Sequence, residues 1–134
     1  MNNEELAKNT TTSSEILKSL ATDEDWYVRY WVAYNRNTPP EALDRLANEE
    51  EYGIRREVAC NLNTPPESLE RLVDDVDLWV RCGVAYNPNT PTETLERLAN
   101  DISYWILDGV TNNPNTPQYI KVYLKIKKFL NCYE

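Results

Sequence analysis

The chain has 134 residues, a length typical of one domain, and carries 14 basic against 22 acidic residues for a net charge of −8. This balance disfavours a nucleic-acid partner, because phosphate binding draws most of its affinity from lysine and arginine. The charge is uneven: residues 1–114 carry a net −11, whereas residues 115–134 carry four lysines and one glutamate. There is no histidine, the commonest general base, so we expect no catalysis.

No apolar stretch approaches the roughly 18 residues that span a membrane, and the first residues lack the pattern of a secretory signal peptide. Cys60, Cys82 and Cys132 are widely spaced and do not have the spacing of metal ligands. We therefore predict a cytoplasmic protein that binds no metal, no cofactor and no membrane.

Related segments begin at Asn37, Asn63, Asn89 and Asn115, always 26 residues apart. A fixed period in this range is typical of a solenoid, in which each unit buries its apolar face by stacking on its neighbours. The predicted parts are a degenerate N-terminal cap at 1–10, four units at 11–36, 37–62, 63–88 and 89–114, and a C-terminal capping helix at 115–134.

Each unit opens with a first segment of the form T-P-P-E-x-L-x-R-L-A. Threonine followed by glutamate three residues later predicts a capping box at a helix start, and proline suits the first helical turn. Leu43 and Leu46 lie three residues apart on one helical face, and units three and four repeat the pair. In unit one Ile16, Leu17 and Leu20 are predicted to form this face.

The second segment follows the pattern D-x-x-V-R-x-x-V-A-x-N. Val28 and Val32 are four residues apart and therefore share one helical face, as do their equivalents in the other units. The closing Asn35 is predicted to end the helix in the left-handed conformation that asparagine tolerates. Strand signals are absent, so the chain is predicted to be all-helical, with two short helical segments per unit.

The stretch "DVDLWVRCGVAYNPNTPTETLERLAND" resembles the leucine-rich repeat variant family of bacteria. The resemblance covers about residues 11–116, four times over. It implies a right-handed superhelix without a sheet, in which an α-helix alternates with a shorter 3₁₀-like helix, related in shape to HEAT-type α-solenoids. Some family members carry an iron–sulfur cluster on N-terminal cysteines, but here no cysteine precedes Cys60. The repeat itself implies no catalysis.

Arginine recurs at positions 29, 55 and 81, each four residues after an acid. This spacing predicts an ion pair along one helix, a structural role rather than a binding ladder. In unit four the acid becomes Ser103 and the arginine becomes Leu107. Because an exposed pair contributes only about 0.3–0.5 kcal/mol, the recurrence predicts pairs that are partly buried between units.

The variable positions of the second segments lie opposite the valine face and are rich in aromatic residues. Tryptophan, tyrosine and arginine are enriched at binding hot spots. The candidate partner-binding residues are Tyr27, Tyr30, Trp31, Tyr34, Arg56, Trp79, Tyr86 and Trp105. Two interpretations stay open: the rings fill gaps between adjacent helices, or they form a patch for a partner. Gly83 and Gly109, in mid-helix, predict space for an indole or for a neighbouring helix.

The last segment has a different register, with Ile120, Tyr123, Leu124 and Phe129 or Leu130 predicted on its apolar face. Its four lysines indicate a solvated cap, or contact with an acidic partner such as another copy of this chain. The sequence as a whole favours a non-catalytic scaffold that binds a protein or peptide through its second helices. The alternatives are a self-assembling solenoid, a homo-oligomer, and a nucleic-acid-associated HEAT-like module, which the net charge disfavours.

Overall fold

The computed structural model describes residues 1–131 of the chain. This part contains ten α-helices and no β-strand, so the predicted all-helical fold is confirmed. In chain order the helices are α1 Asn3–Lys8, α2 Ser14–Leu20, α3 Trp26–Tyr34, α4 Pro40–Leu46, α5 Tyr52–Cys60, α6 Pro66–Leu72, α7 Leu78–Tyr86, α8 Thr92–Leu98, α9 Tyr104–Asn112 and α10 Gln118–Asn131. Among these helices none is both long and apolar enough to cross a membrane. Cys132 and the end of the predicted capping segment lie outside the described residues.

The helices alternate between two types. The first helices, α2, α4, α6 and α8, have seven residues each, and the second helices, α3, α5, α7 and α9, have nine. Equivalent helices begin 26 residues apart, in step with the repeat. Both types are α-helices, whereas the resemblance implied a 3₁₀-like segment in each unit. Each second helix contacts the next one closely, and α1 contacts α3 in the same way. Together α1, α3, α5, α7 and α9 form one continuous layer.

The leucines of the first helices and the valines or isoleucines of the second helices form one continuous core. In unit two, Leu43, Leu46, Ile54 and Val58 are all fully buried. The sequence also places Ile16 in this core, but its side chain is 42% exposed, so that prediction is wrong. Its equivalents in units two to four are buried in the stack, whereas the described residues before α2 form no first helix to cover Ile16.

The threonine of each NTP segment does not form the predicted capping box. The N-cap of α4 is Pro39, and no side chain bonds to the free N–H groups there. The hydroxyl of Thr38 instead donates to the carbonyl oxygen of Val32 at 2.5 Å, inside the protein. The same bond recurs at 2.5–2.6 Å from Thr64, Thr90 and Thr116. Each threonine therefore closes the last turn of the preceding second helix.

The asparagine after each second helix has extended rather than left-handed geometry. Asn87 has φ −73° and ψ 124°, and no residue in the described part of the chain has a positive φ. Its Nδ2 donates to the carbonyl oxygens of Ala59 at 2.8 Å and Asn61 at 2.9 Å, and its Oδ1 accepts the N–H of Asn89 at 2.9 Å. Equivalent bonds are made by Asn35, Asn61 and Asn113. We call this buried row the asparagine ladder.

The two mid-helix glycines allow neighbouring second helices to approach each other. A Cβ at Gly83 would lie 2.8 Å from the Cβ of Ala59, and a Cβ at Gly109 would lie 2.8 Å from the Cβ of Ala85. Both distances are too short for two carbon atoms that are not bonded. Of the two purposes that the sequence leaves open, the structure therefore shows space for the neighbouring helix.

The recurring arginines form ion pairs, but not with the predicted partners. Arg55 Nε donates to Asp75 Oδ2 at 2.6 Å, and not to the acid four residues earlier. Arg29 pairs in the same way with Glu49, and Arg81 with Asp101. The pairs are partly buried and join each second helix to the turn of the next unit. The acids predicted as partners begin the helices instead, since Asp25 and Asp77 accept N–H groups there.

Leu107 stands at the arginine position of α9. The residue twenty positions later is Lys127, where the earlier units have an acid. The arginine and its partner acid in the next unit are thus both absent at this junction, and Lys127 donates instead to the carbonyl oxygen of Ala99 at 3.5 Å.

Asp75 provides a test of these pairs. Burial alone would raise the pKa of Asp75, but hydrogen bonds from the Arg55 guanidinium and the Asp77 N–H hold it below its usual range. We expect Asp75→Asn to lower the free energy of unfolding at pH 7 by about 1–2 kcal/mol. Because the folded pKa is the lower one, this contribution is present above about pH 4 and is lost as the pH falls through the folded pKa.

Urea denaturation at pH 7 and at acidic pH measures this difference between wild type and variant. Asp74→Asn is the matched control, because Asp74 forms only an exposed pair with Arg97 and should change stability by no more than about 0.5 kcal/mol at pH 7. Equal losses for the two variants, or a loss at Asp75 that does not shrink in acid, would contradict the structural role of the pairs.

α10 corrects the apolar face that the sequence predicts for the last segment. Ile120 and Leu124 are buried as expected. Tyr123, Phe129 and Leu130 are exposed, so their placement on a buried face is wrong. α10 packs against α9, and among the described residues no further helix follows it in the stack.

Candidate partner-binding surface

The second helices present one side to the first helices and the opposite side outward. Val28 and Val32 define the inner side of α3, so helical geometry turns Tyr27 and Tyr34 away from the core, while Tyr30 is partly buried beside it. The equivalent positions of α5, α7 and α9 continue this row, and we call the whole row the outer surface. The core positions hardly change from unit to unit, whereas the outer surface varies more, although units three and four share Trp79/Trp105 and Gly83/Gly109.

The N-terminal aromatic cluster consists of five rings on α3: Trp26, Tyr27, Tyr30, Trp31 and Tyr34. The rings of Tyr27 and Tyr30 are nearly parallel, with centroids 6.2 Å apart. Trp31 meets Tyr30 and Tyr34 edge to face, with both centroid distances at 5.4 Å. Such pairs are favourable geometries for aromatic rings. The rings therefore hold one another in place before any partner binds.

A lysine from α1 lies against this cluster. The ammonium nitrogen of Lys8 is 4.8 Å from the centroid of the Trp31 ring and 5.3 Å from that of Tyr27. It also pairs with Glu4, and this hydrogen bond raises the pKa of Lys8. A cation within about 6 Å of a ring face is attracted by the electrons of the ring. These rings can thus accept a positive group.

The middle of the outer surface, on α5, is polar and carries smaller side chains. Gly53, Arg56, Glu57 and Cys60 occupy the four positions that hold aromatic rings on α3. The Tyr30 hydroxyl donates to Glu57 Oε1 at 3.2 Å and so ties α3 to α5. Burial and the nearby Glu57 carboxylate together raise the pKa of Tyr30. A charged part of the outer surface therefore separates the two aromatic regions.

The C-terminal aromatic cluster lies on α7 and α9 and consists of Trp79, Tyr86, Tyr104 and Trp105. The indoles of Trp79 and Trp105 come from neighbouring units, and their centroids are 6.5 Å apart. Tyr104 meets Trp105 edge to face at 5.8 Å. Two exposed indoles side by side present a broad apolar platform.

A carboxylate lies at the edge of this cluster. The Tyr86 hydroxyl donates to Asp108 Oδ2 at 2.5 Å, and this hydrogen bond raises the pKa of Tyr86 to about 12. Tyr86 is therefore uncharged at neutral pH. Both aromatic clusters thus contain a tyrosine hydroxyl bonded to an acid of the next second helix, and both place negative charge beside apolar rings.

The structure divides the candidate residues into a partly buried and an exposed subset. Tyr30 and Trp31 are partly buried and pack against the core, so they mainly fill space between helices. The remaining six candidates are exposed on the outer surface: Tyr27, Tyr34, Arg56, Trp79, Tyr86 and Trp105. Tyr34 and Trp105 are the most accessible aromatic candidates, at 61% and 54%.

Sequence reasoning missed three exposed aromatic residues at the starts of second helices, namely Trp26, Tyr52 and Tyr104. They occupy one repeat position, directly after the residue that begins the helix. An aromatic residue at that position in three of four units was visible in the sequence.

The stacked helix pairs and the long outer surface define the class of the protein as an α-solenoid repeat scaffold. A model of the family described as "Leucine rich repeat variant" matches residues 78–101. This match confirms the resemblance that the sequence pattern indicates: the repeat of this chain is similar to that of the leucine-rich repeat variant.

A solved structure described as a leucine-rich repeat variant with a novel repetitive protein structural motif is similar to this chain, with a TM-score of 0.65 and 28% sequence identity. The match covers 84% of this chain and 46% of the other, so this chain spans less than half the length of that protein. No match to a curated protein was found.

Proposed function

We propose that this solenoid is a non-catalytic scaffold whose outer surface binds a protein or peptide. The observation that carries the proposal is the exposure of two ordered aromatic clusters on the one surface that differs from unit to unit. Scattered exposed apolar side chains are ordinary on a protein surface, but grouped tryptophan and tyrosine rings are typical of binding hot spots.

The order within each cluster supports this function energetically. Binding loses affinity whenever side chains must be immobilised at the interface. The rings of Tyr27, Tyr30 and Tyr34 contact neighbouring rings, and Trp79 lies beside Trp105. Each such contact restricts the ring and reduces the conformational entropy that binding costs.

The charge of the surface favours a partner with basic groups. Residues 1–114 carry a net −11, and Glu57 and Asp108 bring carboxylates next to the two clusters. Lys8 shows the geometry that a cation adopts over these rings. A peptide segment that combines apolar or aromatic residues with lysine or arginine fits both properties. The same charge disfavours nucleic acid as a partner.

The test compares binding by the wild type with binding by Trp79→Ala/Trp105→Ala. Peptides selected from a random displayed library on the wild-type protein serve as probes, and their Kd values are measured by isothermal titration calorimetry. Truncation of a hot-spot residue costs about 2 kcal/mol or more, so we expect Kd to rise at least about 30-fold. Both indoles are exposed, so the variant should keep its helical circular dichroism.

Tyr119→Ala is the matched control, because Tyr119 is an exposed aromatic residue on α10, in the layer of first helices. It should bind the selected peptides with unchanged Kd. Unchanged binding by the folded double variant, or equal losses in the double variant and the control, would count against the outer surface as the binding site. A selection that yields no peptide with basic residues would argue against the proposed partner chemistry.

A further inference from the structure

A groove of about 680 Å³ lies between α9 and α10 at the end of the described stack. The residues that line it include the apolar Leu107, Val122 and Leu124 and four lysines, Lys121, Lys125, Lys127 and Lys128. Among the described residues that line it, Asp108 is the one acid, and that acid is bonded to Tyr86. The groove runs beside α9 on the side where each earlier second helix contacts the next.

The junction at this groove differs in charge from every earlier junction. Between the units, an arginine of one second helix pairs with an acid of the next unit. Here Leu107 and Lys127 occupy those two positions. Lys127 donates to the carbonyl oxygen of Ala99 at 3.5 Å and pairs with no acid in the part of the chain that the structure describes. The end of the stack therefore presents positive charge beside apolar side chains, which suits an acidic segment that carries an apolar residue.

The opposite end of the stack exposes the matching apolar residue. Ser68 Oγ donates to Asp44 Oδ1 at 2.6 Å, which shows which positions meet between consecutive first helices. In the register of the repeat, the counterpart of Ser68 in unit one is Ile16, and the counterpart of Asp44 on α10 is Val122. Both side chains are exposed, at 42% and 45%. A second copy stacked in this register would bring these two apolar side chains together.

The asparagine ladder also has complementary ends. Asn9 stands one period before Asn35, and its Oδ1 already accepts the N–H of Thr11, as Asn35 accepts that of Asn37. Within residues 1–131 its Nδ2 reaches no backbone carbonyl oxygen and lies instead 3.8 Å from the sulfur of Met1. At the other end, Asn113 binds the carbonyl oxygens of Ala85 and Asn87. The carbonyl oxygens of Thr111 and Asn113, one period later, are the pair that a following ladder asparagine would bind.

The two ends are opposite in charge. Residues 1–24 contain five acids and two lysines, whereas α10 contains four lysines and no acid. We infer that the chain assembles head to tail, with α1 of one copy in the groove between α9 and α10 of the next. The helix α1 then takes the place of a second helix that follows α10, and α2 stacks beside α10. The repeat continues across the junction in its own register.

Sedimentation velocity at low salt over a series of protein concentrations tests this assembly. For the wild type we expect a weight-average mass that rises with concentration above the 15.6 kDa of one chain and falls when salt is added. Ile16→Glu removes the contact at one end, and Val122→Glu removes it at the other. Each variant alone should stay monomeric, and both should fold because the two positions are exposed.

An equimolar mixture of the two variants gives the decisive result. Each variant retains one intact end, and the two intact ends are complementary, so the mixture should form a dimer and stop there. A head-to-tail contact has this property, whereas a symmetric contact between identical surfaces does not. Val76→Glu is the matched control, because Val76 is 93% exposed in a turn away from both ends, and this variant should assemble as the wild type does.

Three outcomes would overturn the inference. The first is a wild type that sediments as a monomer at every concentration. The second is a mixture that remains monomeric while the wild type assembles. The third is that each variant alone assembles as well as the wild type. In the last two cases another surface joins the copies.

Discussion

Asn87→Ala is expected to lower the free energy of unfolding by about 2–4 kcal/mol, the largest effect we predict for a single side chain of the frame. The amide of Asn87 makes three hydrogen bonds inside the protein, two to carbonyl oxygens of the preceding unit and one from the N–H of Asn89. Alanine leaves the Ala59 carbonyl oxygen and the Asn89 N–H without these partners, whereas the Asn61 carbonyl oxygen keeps the N–H of Thr64 at 3.1 Å. A buried polar group that has lost its hydrogen bond costs about 1–3 kcal/mol, partly relieved where water can enter.

Urea denaturation followed by circular dichroism measures the change. Asn48→Ala is the matched control, since Asn48 is exposed and makes one hydrogen bond, to the Asp44 carbonyl oxygen. We expect this control to change stability by about 0.5 kcal/mol or less. Similar losses at positions 87 and 48 would show that the asparagine ladder contributes little, and that the repeated asparagine has another purpose.

Gly83→Ala is expected to lower the free energy of unfolding by about 1–3 kcal/mol, although alanine is the better helix former. The added Cβ would lie 2.8 Å from the Ala59 Cβ and 3.3 Å from the Ala59 carbonyl carbon. Backbone atoms of a packed helix cannot yield as the end of a flexible side chain can. The two helices must therefore move apart, which also strains the ladder bonds between Asn87 and the preceding unit.

Gly53→Ala provides a control with the same chemical change. A Cβ at Gly53 would meet only the Tyr30 ring, at 3.9 Å, an ordinary van der Waals contact. Here the better helix propensity of alanine should raise stability by up to about 1 kcal/mol. Opposite signs at positions 53 and 83, measured in the same denaturation experiment, are the expected result. Stabilisation at both positions would mean that the helices are not closely packed at Gly83.

The same close packing gives the outer surface its order. Gly83 and Gly109 bring α5, α7 and α9 together, and this approach places Trp79 and Trp105 side by side. A variant that separates these helices should therefore weaken partner binding as well as stability. The frame and the proposed binding surface are physically coupled, because the rings of one platform come from different units.

The repeat period, the helical segments and the core were predictable because they depend on local order in the chain. Leu43 and Leu46 lie on one face through helical geometry alone, and Val28 and Val32 do so for the same reason. Stacking of amphipathic units follows from burial of those faces. None of these features requires knowledge of which residue of another unit lies nearby.

The roles of the polar frame residues were not predictable in the same way. Thr38, Asn87 and Arg55 each have an adequate local explanation, as a helix cap, a left-handed helix end and a helical ion pair. Each makes a different bond in the folded chain, with a partner 6, 28 or 20 residues away. Local spacing therefore identified these residues as structural and assigned the wrong partners to them.

For the candidate surface, the sequence alone determined which positions vary and that aromatic residues occupy them. Only the tertiary structure decided which rings are accessible: Trp31 packs partly into the core, while Tyr34 on the same helix is exposed. The physical reason is that exposure depends on the side chains of the adjacent units. The repeat by itself predicts that the units stack. The contacts between adjacent units decide which side chains of each unit stay exposed to a partner.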